Sequence, residues 1–218
     1  MRIDRAGIPF VFTALISAFL FSFLNFAILG VGCCFVAGFF LFFFRDPERK
    51  ISDLNNAVLS PADGKVIFAG PAENTNNLQG EWFQISIFLS PLDVHVNRVP
   101  IAGTVSRIKY YPGKFLPAYK KESGVLNERC EIWLNTGDRK ICFRQVVGVL
   151  ARRIVCRLKK GERVQAGQRF GVMKFGSRMD VFIEGKVKNL VAVDDIVKGG
   201  QSVLAMLLPK GNSLGDKV

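Results

Sequence analysis

From Ile8 to Phe44 the chain runs 37 residues with no ionisable side chain except the thiols of Cys33 and Cys34. The hydrocarbon core of a bilayer takes about 20 helical residues. The run is therefore too long for one ordinary span and long enough for two short ones. Gly30-Val31-Gly32 separates two apolar halves and is the expected bend. Arg2 and Arg5 precede the run, and Arg45, Arg49 and Lys50 follow it. A helical hairpin gathers all five on one face, as the positive-inside tendency prefers, whereas a single tilted span splits them. A cleaved signal peptide has an apolar region of only about 7–15 residues. Residues 1–44 are accordingly read as a retained membrane anchor, most simply a helical hairpin.

Residues 45–218 are enough to bury a core. The chain has 30 Lys and Arg against 18 Asp and Glu, a formal charge of +12 that falls mostly after the anchor. A basic domain tethered to a membrane faces anionic lipid headgroups. Nucleic acid is the other standard partner of such charge. Here the basic residues are scattered, with no basic helix and no zinc-ligand spacing, so no nucleic acid is expected. Five cysteines, an odd number without a CxxC pair, do not make a disulfide framework. Reduced thiols fit a cytosolic face. A single histidine and no cysteine cluster give no expectation of a metal.

Beyond Asp46-Pro47 the pattern is that of short strands, so the fold class is mainly β. "WFQISIFL" (82–89) places Phe83, Ile85, Ile87 and Leu89 on one face, the period-two signature of a half-buried strand. "GTVSRIKYY", "EIWLN" and "KICFRQVVGVL" behave likewise, bounded by Gly, Pro or Asn. No segment after residue 45 carries a long 3.6-residue stripe. Tyr111 to Leu126, with two prolines, aromatics and lysines, is the longest irregular stretch and suits either a substrate-facing loop or a plain surface loop. Glycine-punctuated segments at 99–113 and 159–176 share the cadence of the barrel-sandwich folds of biotinyl and lipoyl carriers. Met173-Lys174-Phe175 mimics the modified hairpin of those carriers.

Three residues could support chemistry. His95, in "SPLDVHVNRVP", is the one side chain whose ordinary pKa, roughly 6.5, suits proton transfer near neutrality. Taken alone it is as well read as a structural histidine. Asp63 lies in "SPADGKV", where Asp-Gly is also what a turn requires. Ser177 follows Gly176, and glycine reaches backbone angles closed to other residues. That freedom matters if the serine oxygen turns back on the preceding carbonyl, although a Gly-Ser pair also marks ordinary turns.

In order and with their flanks, these blocks resemble the phosphatidylserine decarboxylases in their short bacterial form. The resemblance runs through "FFRDPER", "SPADGKV", "SIFLSPLDVHVNRVPIAGTV", "YYPGKF", "NER", "GVLARRIVC" and "GERVQAGQRFGVMKFGSRMDVFI". It implies a barrel-sandwich-like β domain and a self-processing proenzyme. Ser177 would attack the carbonyl of Gly176, giving an ester whose elimination releases the upstream chain. Loss of ammonia then leaves a covalent pyruvoyl cofactor at the new N-terminus. Residues 1–176 become the β chain and 177–218 the α chain, which remain together as a heterodimer or a higher oligomer. The pyruvoyl carbonyl forms a Schiff base with phosphatidylserine and acts as the electron sink that amino-acid decarboxylation needs, so no pyridoxal phosphate and no metal are implied. The product is phosphatidylethanolamine, and the implied location is a bacterial inner membrane with the domain on its cytoplasmic side.

One departure stands out. Longer members carry a second histidine three residues after the first, in a processing triad with the aspartate of "PADG" and the serine. Here that position is Arg98. Asp63 and Ser177 map onto the triad and its histidine does not. His95 is therefore assigned to decarboxylation, protonating the product carbanion, and Asp63 to support of processing. Arg98, Lys114 and Arg129 are candidates for the substrate's carboxylate or phosphate, or equally structural charges, with Glu128 as a partner for Arg129. The rival reading is a membrane-tethered carrier or adaptor modified on Lys174. A decarboxylase of an ether-lipid phosphoserine analogue is a further alternative.

Overall fold

The computed structural model describes residues 2–52, 54–72, 80–149, 153–174 and 176–209. Phe175, next to the Gly176-Ser177 pair, and residues 150–152 of the "GVLARRIVC" block lie outside the described residues. The apolar run forms two helices, α1 (Ile8–Phe23) and α2 (Ala27–Phe43), packed against each other as a hairpin. The bend falls at Leu24-Asn25-Phe26, not at Gly30-Val31-Gly32 as the sequence suggested. Asn25 takes a left-handed φ of 61° there, which asparagine tolerates better than most residues. Gly30 instead lies within α2, where a Cβ would come within 2.4 Å of the Ser22 hydroxyl oxygen. Its bareness lets the helices approach, the packing use of glycine rather than the turn use.

Downstream, the regular structure among the described residues is β apart from one helical turn, α3 (Ser123–Leu126). The hairpin is flanked by β1 (Arg2–Ile3) and β2 (Arg45–Asp46), which pair with each other. Then come β3 (Ala57–Leu59), β4 (Gly64–Pro71), β5 (Trp82–Leu89), β6 (Val96–Arg98) and β7 (Gly103–Tyr111). After α3 follow β8 (Arg129–Thr136), β9 (Arg139–Val147), β10 (Ile154–Cys156), β11 (Arg163–Val164) and β12 (Arg169–Met173). The last are β13 (Ser177–Glu184), β14 (Val187–Asn189), β15 (Ile196–Val197) and β16 (Val203–Leu207). Eight strands form one antiparallel sheet in the order β11-β7-β8-β9-β13-β5-β4-β15, curled into a half-barrel. Two three-stranded sheets, β10-β12-β6 and β14-β16-β3, accompany it.

Alternation decides which side chains enter the core. Ile85, Ile87 and Leu89 of β5, Met179, Val181 and Ile183 of β13, and Ile141 and Phe143 of β9 join one buried cluster. Each contributes about 1.5–3 kcal/mol of burial, so a charge at Val181 would break the sheet's centre. Ser177 shares the parity of Met179 and Val181 and begins β13 on the core face. Arg178, Asp180 and Phe182 take the opposite face. The strands expected from "WFQISIFL" and its companions are present at the expected places.

The β6 sheet is tied to the large sheet by a polar strut. Gln145 Nε2 of β9 donates to Asn97 Oδ1 of β6 at 2.9 Å and to the Val155 carbonyl of β10 at 3.3 Å. The residues after α2 form the joint between hairpin and domain. Asp46 pairs with Arg169 at 2.6 Å and with Arg98 at 3.4 Å. Arg45 donates to the carbonyls of Phe42 and Leu92. Arg49 grips both oxygens of Asp63.

Candidate active site

Ser177 is the first residue of β13 and is hydrogen-bonded into the sheet on both sides, opposite Leu89 of β5 and Val147 of β9. Its side chain is fully buried, and its Oγ has no hydrogen-bond partner among the described residues. A buried hydroxyl without a partner carries a desolvation penalty. Gly176 just before it has φ +55°, in the left-handed region that glycine enters freely. The carbonyl of Gly176 lies against Gly148, where a Cβ would stand 2.2 Å from the oxygen. Two glycines thus shape the bond preceding Ser177, one by its own twist and one by leaving room.

His95 lies just before β6, and its carbonyl accepts from the Met173 N–H at 3.3 Å, across from the end of β12. The strand it faces leads within four residues to Ser177. The imidazole is fully buried, with Nδ1 2.9 Å from the Asp93 carbonyl. A carbonyl only accepts, so Nδ1 carries the proton and Nε2 presents its lone pair. Nε2 has no partner among the described residues. The Phe43 ring covers the imidazole at 4.2 Å between centroids. Burial pushes the pKa of His95 down to about 4; the Asp93 carbonyl and the charges of Asp93 and Asp63 oppose this, while Arg45 adds to it. At neutral pH His95 is a neutral base.

Asp63 is placed differently from a triad member in contact with the serine. Its Oδ2 accepts from Arg49 Nη2 at 2.7 Å, and its Oδ1 accepts from Arg49 Nη1 and from the Gly199 N–H at 2.8 Å. The carboxylate is thereby engaged by the joint and by the turn between β15 and β16. Its reach toward His95 is electrostatic.

Two of the three candidate headgroup cations are engaged by other groups. Arg98, at the place of the absent second histidine, is buried and donates to the carbonyls of Gly167 and Pro47 besides Asp46. Arg129 donates to the Val125 carbonyl, pairs with Glu131 and covers the Tyr111 ring. Lys114 is exposed on the loop. Lys174 sits instead at the base of the hairpin, its Nζ 4.4 Å from the Phe10 ring centroid. It does not occupy a hairpin tip: β12 pairs with β10 and β6, β13 pairs with β5 and β9, and the chain crosses between sheets at this point. That geometry removes the likeness to a carrier hairpin.

Sequence reasoning missed Phe43, Asp93, Gly148 and the Gln145–Asn97 strut. Gly148 was the legible one, because a glycine inside a strand pattern marks a close approach of another backbone.

A buried serine behind a twisted glycine and a neutral buried histidine, both with an unpartnered side-chain polar atom, are the chemistry-bearing groups of this mainly β domain. The sequence model of the family described as phosphatidylserine decarboxylase matches residues 36–205. The chain is 40% identical over 207 residues to the phosphatidylserine decarboxylase proenzyme of Desulfotalea psychrophila, covering 94% of this chain and 97% of that one. It is 43% identical over 206 residues to the proenzyme of the same name from Symbiobacterium thermophilum, with 94% and 95% covered. With that of Pelodictyon phaeoclathratiforme it shares 45% identity over 168 residues, 77% of this chain and 78% of the relative. The chain belongs to the phosphatidylserine decarboxylase family and is a decarboxylase.

Proposed function

We propose that this chain cleaves itself between Gly176 and Ser177 and then decarboxylates phosphatidylserine to phosphatidylethanolamine. The observation that carries the reading is the Ser177 hydroxyl, buried and unpartnered, beside the peptide bond that Gly176 and Gly148 shape. Ser177 Oγ adds to the Gly176 carbonyl carbon, the C–N bond breaks, and the peptide becomes an ester. Loss of the Ser177 α-proton expels the Gly176 carboxylate, and hydrolysis of the resulting enamine releases ammonia. The cofactor so made from Ser177 supplies a covalent carbonyl able to take up the electron pair left when CO2 departs. The orphaned Ser177 Oγ suits that origin.

The other residues act by position and proton transfer. His95 Nε2, neutral near pH 7, accepts a proton from the lipid's amine and returns one to the carbon that has lost CO2. Such general acid–base help is typically worth about 10²–10⁴-fold. It is also a candidate to take the Ser177 hydroxyl proton during cleavage, the part played by the second histidine in longer members. Asp63 supports processing through the Arg49 joint and through its charge at His95.

After cleavage the small chain would stay in place. Its β13 is hydrogen-bonded between β5 and β9, its β15 to β4 and its β16 to β3, all strands of the large chain. The hairpin supports a membrane location. Its helices of 16 and 17 residues are roughly 24–26 Å long at about 1.5 Å per residue. They expose Phe12, Ile16, Phe19, Ile28 and Phe35. Inserted in the inner membrane from the cytoplasmic side, they would keep the basic domain on anionic lipid, where substrate and product both reside.

Denaturing intact mass of the purified protein beside Ser177→Ala tests the reading. Two wild-type chains split at Gly176-Ser177, the smaller with a pyruvoyl terminus, and an uncut variant are expected. A single full-length mass from folded, membrane-bound wild type would defeat it.

A further inference from the structure

Between α1 and α2 runs an apolar groove of about 480 Å³, lined by Phe10, Thr13, Ala14 and Ser17 on one side and by Val36 and Phe40 on the other. Phe10 forms its domain end, meeting Phe40 at 5.4 Å and stacking on Phe44 at 5.6 Å between centroids. The Lys174 ammonium lies over Phe10 at 4.4 Å and 6.0 Å from the Phe44 ring centroid. Lys174 makes no hydrogen bond or ion pair with any described residue, and it is partly buried. A partly desolvated cation resting on aromatic faces gains some compensation from the rings. An anion would supply far more. Phe43 meets Phe44 edge-on at 5.0 Å and covers His95 with its ring. The ammonium and the imidazole therefore flank one aromatic cluster, and Lys174 precedes Gly176 by two residues.

We propose that Lys174 and this groove form a lipid subsite, in which the ammonium binds the phosphodiester of a glycerophospholipid and the groove takes one of its acyl chains. The inference rests on the reading that the substrate is a phospholipid. A free anion would use the cation and leave the apolar groove idle, whereas an amphiphile uses both. A diester on Lys174 directs the headgroup to the Ser177 and His95 side and the chains along the hairpin into the bilayer. This assigns to Lys174 the role that sequence reasoning had offered to Arg98, Lys114 and Arg129.

The test uses uncleaved Ser177→Ala protein in micelles, with phosphatidylserine retention read by native mass spectrometry. Adding Lys174→Gln should weaken retention about ten- to hundredfold, the usual worth of a hydrogen bond to a charged group. Lys174→Arg should restore most of it, which separates loss of charge from loss of fold. Ser17→Phe, which fills the groove, should weaken long-chain phosphatidylserine and leave the dihexanoyl form unchanged. Unchanged retention in Lys174→Gln would overturn the proposal. Competition by inorganic phosphate without any effect of Ser17→Phe would also overturn it, in favour of a free-anion site. If retention follows Lys174 while wild-type protein neither cleaves nor decarboxylates, the subsite stands and the catalytic reading fails.

Discussion

The Phe43 ring lies over the His95 imidazole with centroids 4.2 Å apart and planes 32° from parallel. Phe43 is the last residue of α2, and His95 is the chain's single histidine. The hairpin therefore forms one wall around the His95 imidazole. Phe43→Leu should keep the joint packed while exposing the imidazole, lowering decarboxylation about tenfold or more with cleavage retained. Phe43→Ala removes a fully buried ring and should cost about 3–5 kcal/mol of stability as well. Because there is one histidine, the imidazole gives a single titrating NMR signal. Its midpoint should sit near 4 in the parent protein and move toward the ordinary value of roughly 6.5 in Phe43→Leu. Equal midpoints would show that the ring does not set the histidine's environment.

The depressed pKa of His95 has a consequence for stability. Its folded value of about 4 lies below the unfolded value of 6.5, so the unfolded chain binds more protons between those limits. Stability from this group is complete above pH 6.5 and falls as the pH drops toward 4, by about 3 kcal/mol in all. Acid also acts on groups other than His95, so the informative quantity is a difference. Urea midpoints in a fixed detergent at pH 7 and pH 4.5 should fall more steeply for the parent than for His95→Gln. Parallel losses would clear His95 as the source.

The legibility of this molecule differs by level. Period-two patterning gave the strands, and Ile85, Ile87 and Leu89 lie in the core with Phe83 partly buried against it, but β5 is not half-buried as read, because Trp82, Gln84 and Ser86 on its other face are covered too. The hairpin was legible from length and from the absence of charge. Its bend was not, since Gly30 reads alike as a turn residue or a packing residue, and only the facing Ser22 distinguishes them. Ser177 and His95 were singled out from their flanks. The Phe43 wall, the Gly148 contact and the attachment of Arg98 to Asp46 depend on pairings between segments far apart in the chain. Local sequence does not encode those.

Asp63 and Arg49 form a two-pronged ion pair with little solvent around it, their side chains 15% and 7% exposed. Removing one partner strands the other, so Asp63→Asn should cost about 2–3 kcal/mol, somewhat less than a fully buried pair. Replacing both, as Asp63→Leu with Arg49→Met, should be milder than the single change. If Asp63 supports processing, cleavage in Asp63→Asn should slow in a gel time course run well below the unfolding midpoint. Cleavage at the parent rate in a destabilised Asp63→Asn protein would confine Asp63 to the joint.

Gly148 offers the sharpest structural test of the cleavage geometry. An alanine Cβ there would stand 2.2 Å from the Gly176 oxygen and 3.2 Å from both the Gly176 carbonyl carbon and the Ala118 Cβ. The Gly176 carbonyl has little freedom to retreat, because Ser177 beside it is held in the sheet by β5 and β9. Gly148→Ala should therefore turn or displace the Gly176–Ser177 peptide bond, the bond proposed to be cleaved. Displacements of about 1 Å at a reacting centre cost on the order of 10²-fold, so cleavage should slow by at least tenfold. Ala118→Gly added to Gly148→Ala opens space on the other side of the new methyl group and should recover part of the rate. Cell-free synthesis followed by a denaturing gel reads cleavage directly, and a thermal melt of the accumulated precursor checks that it is folded. A folded Gly148→Ala protein that cleaves as fast as the parent would show that this contact does not position the scissile carbonyl.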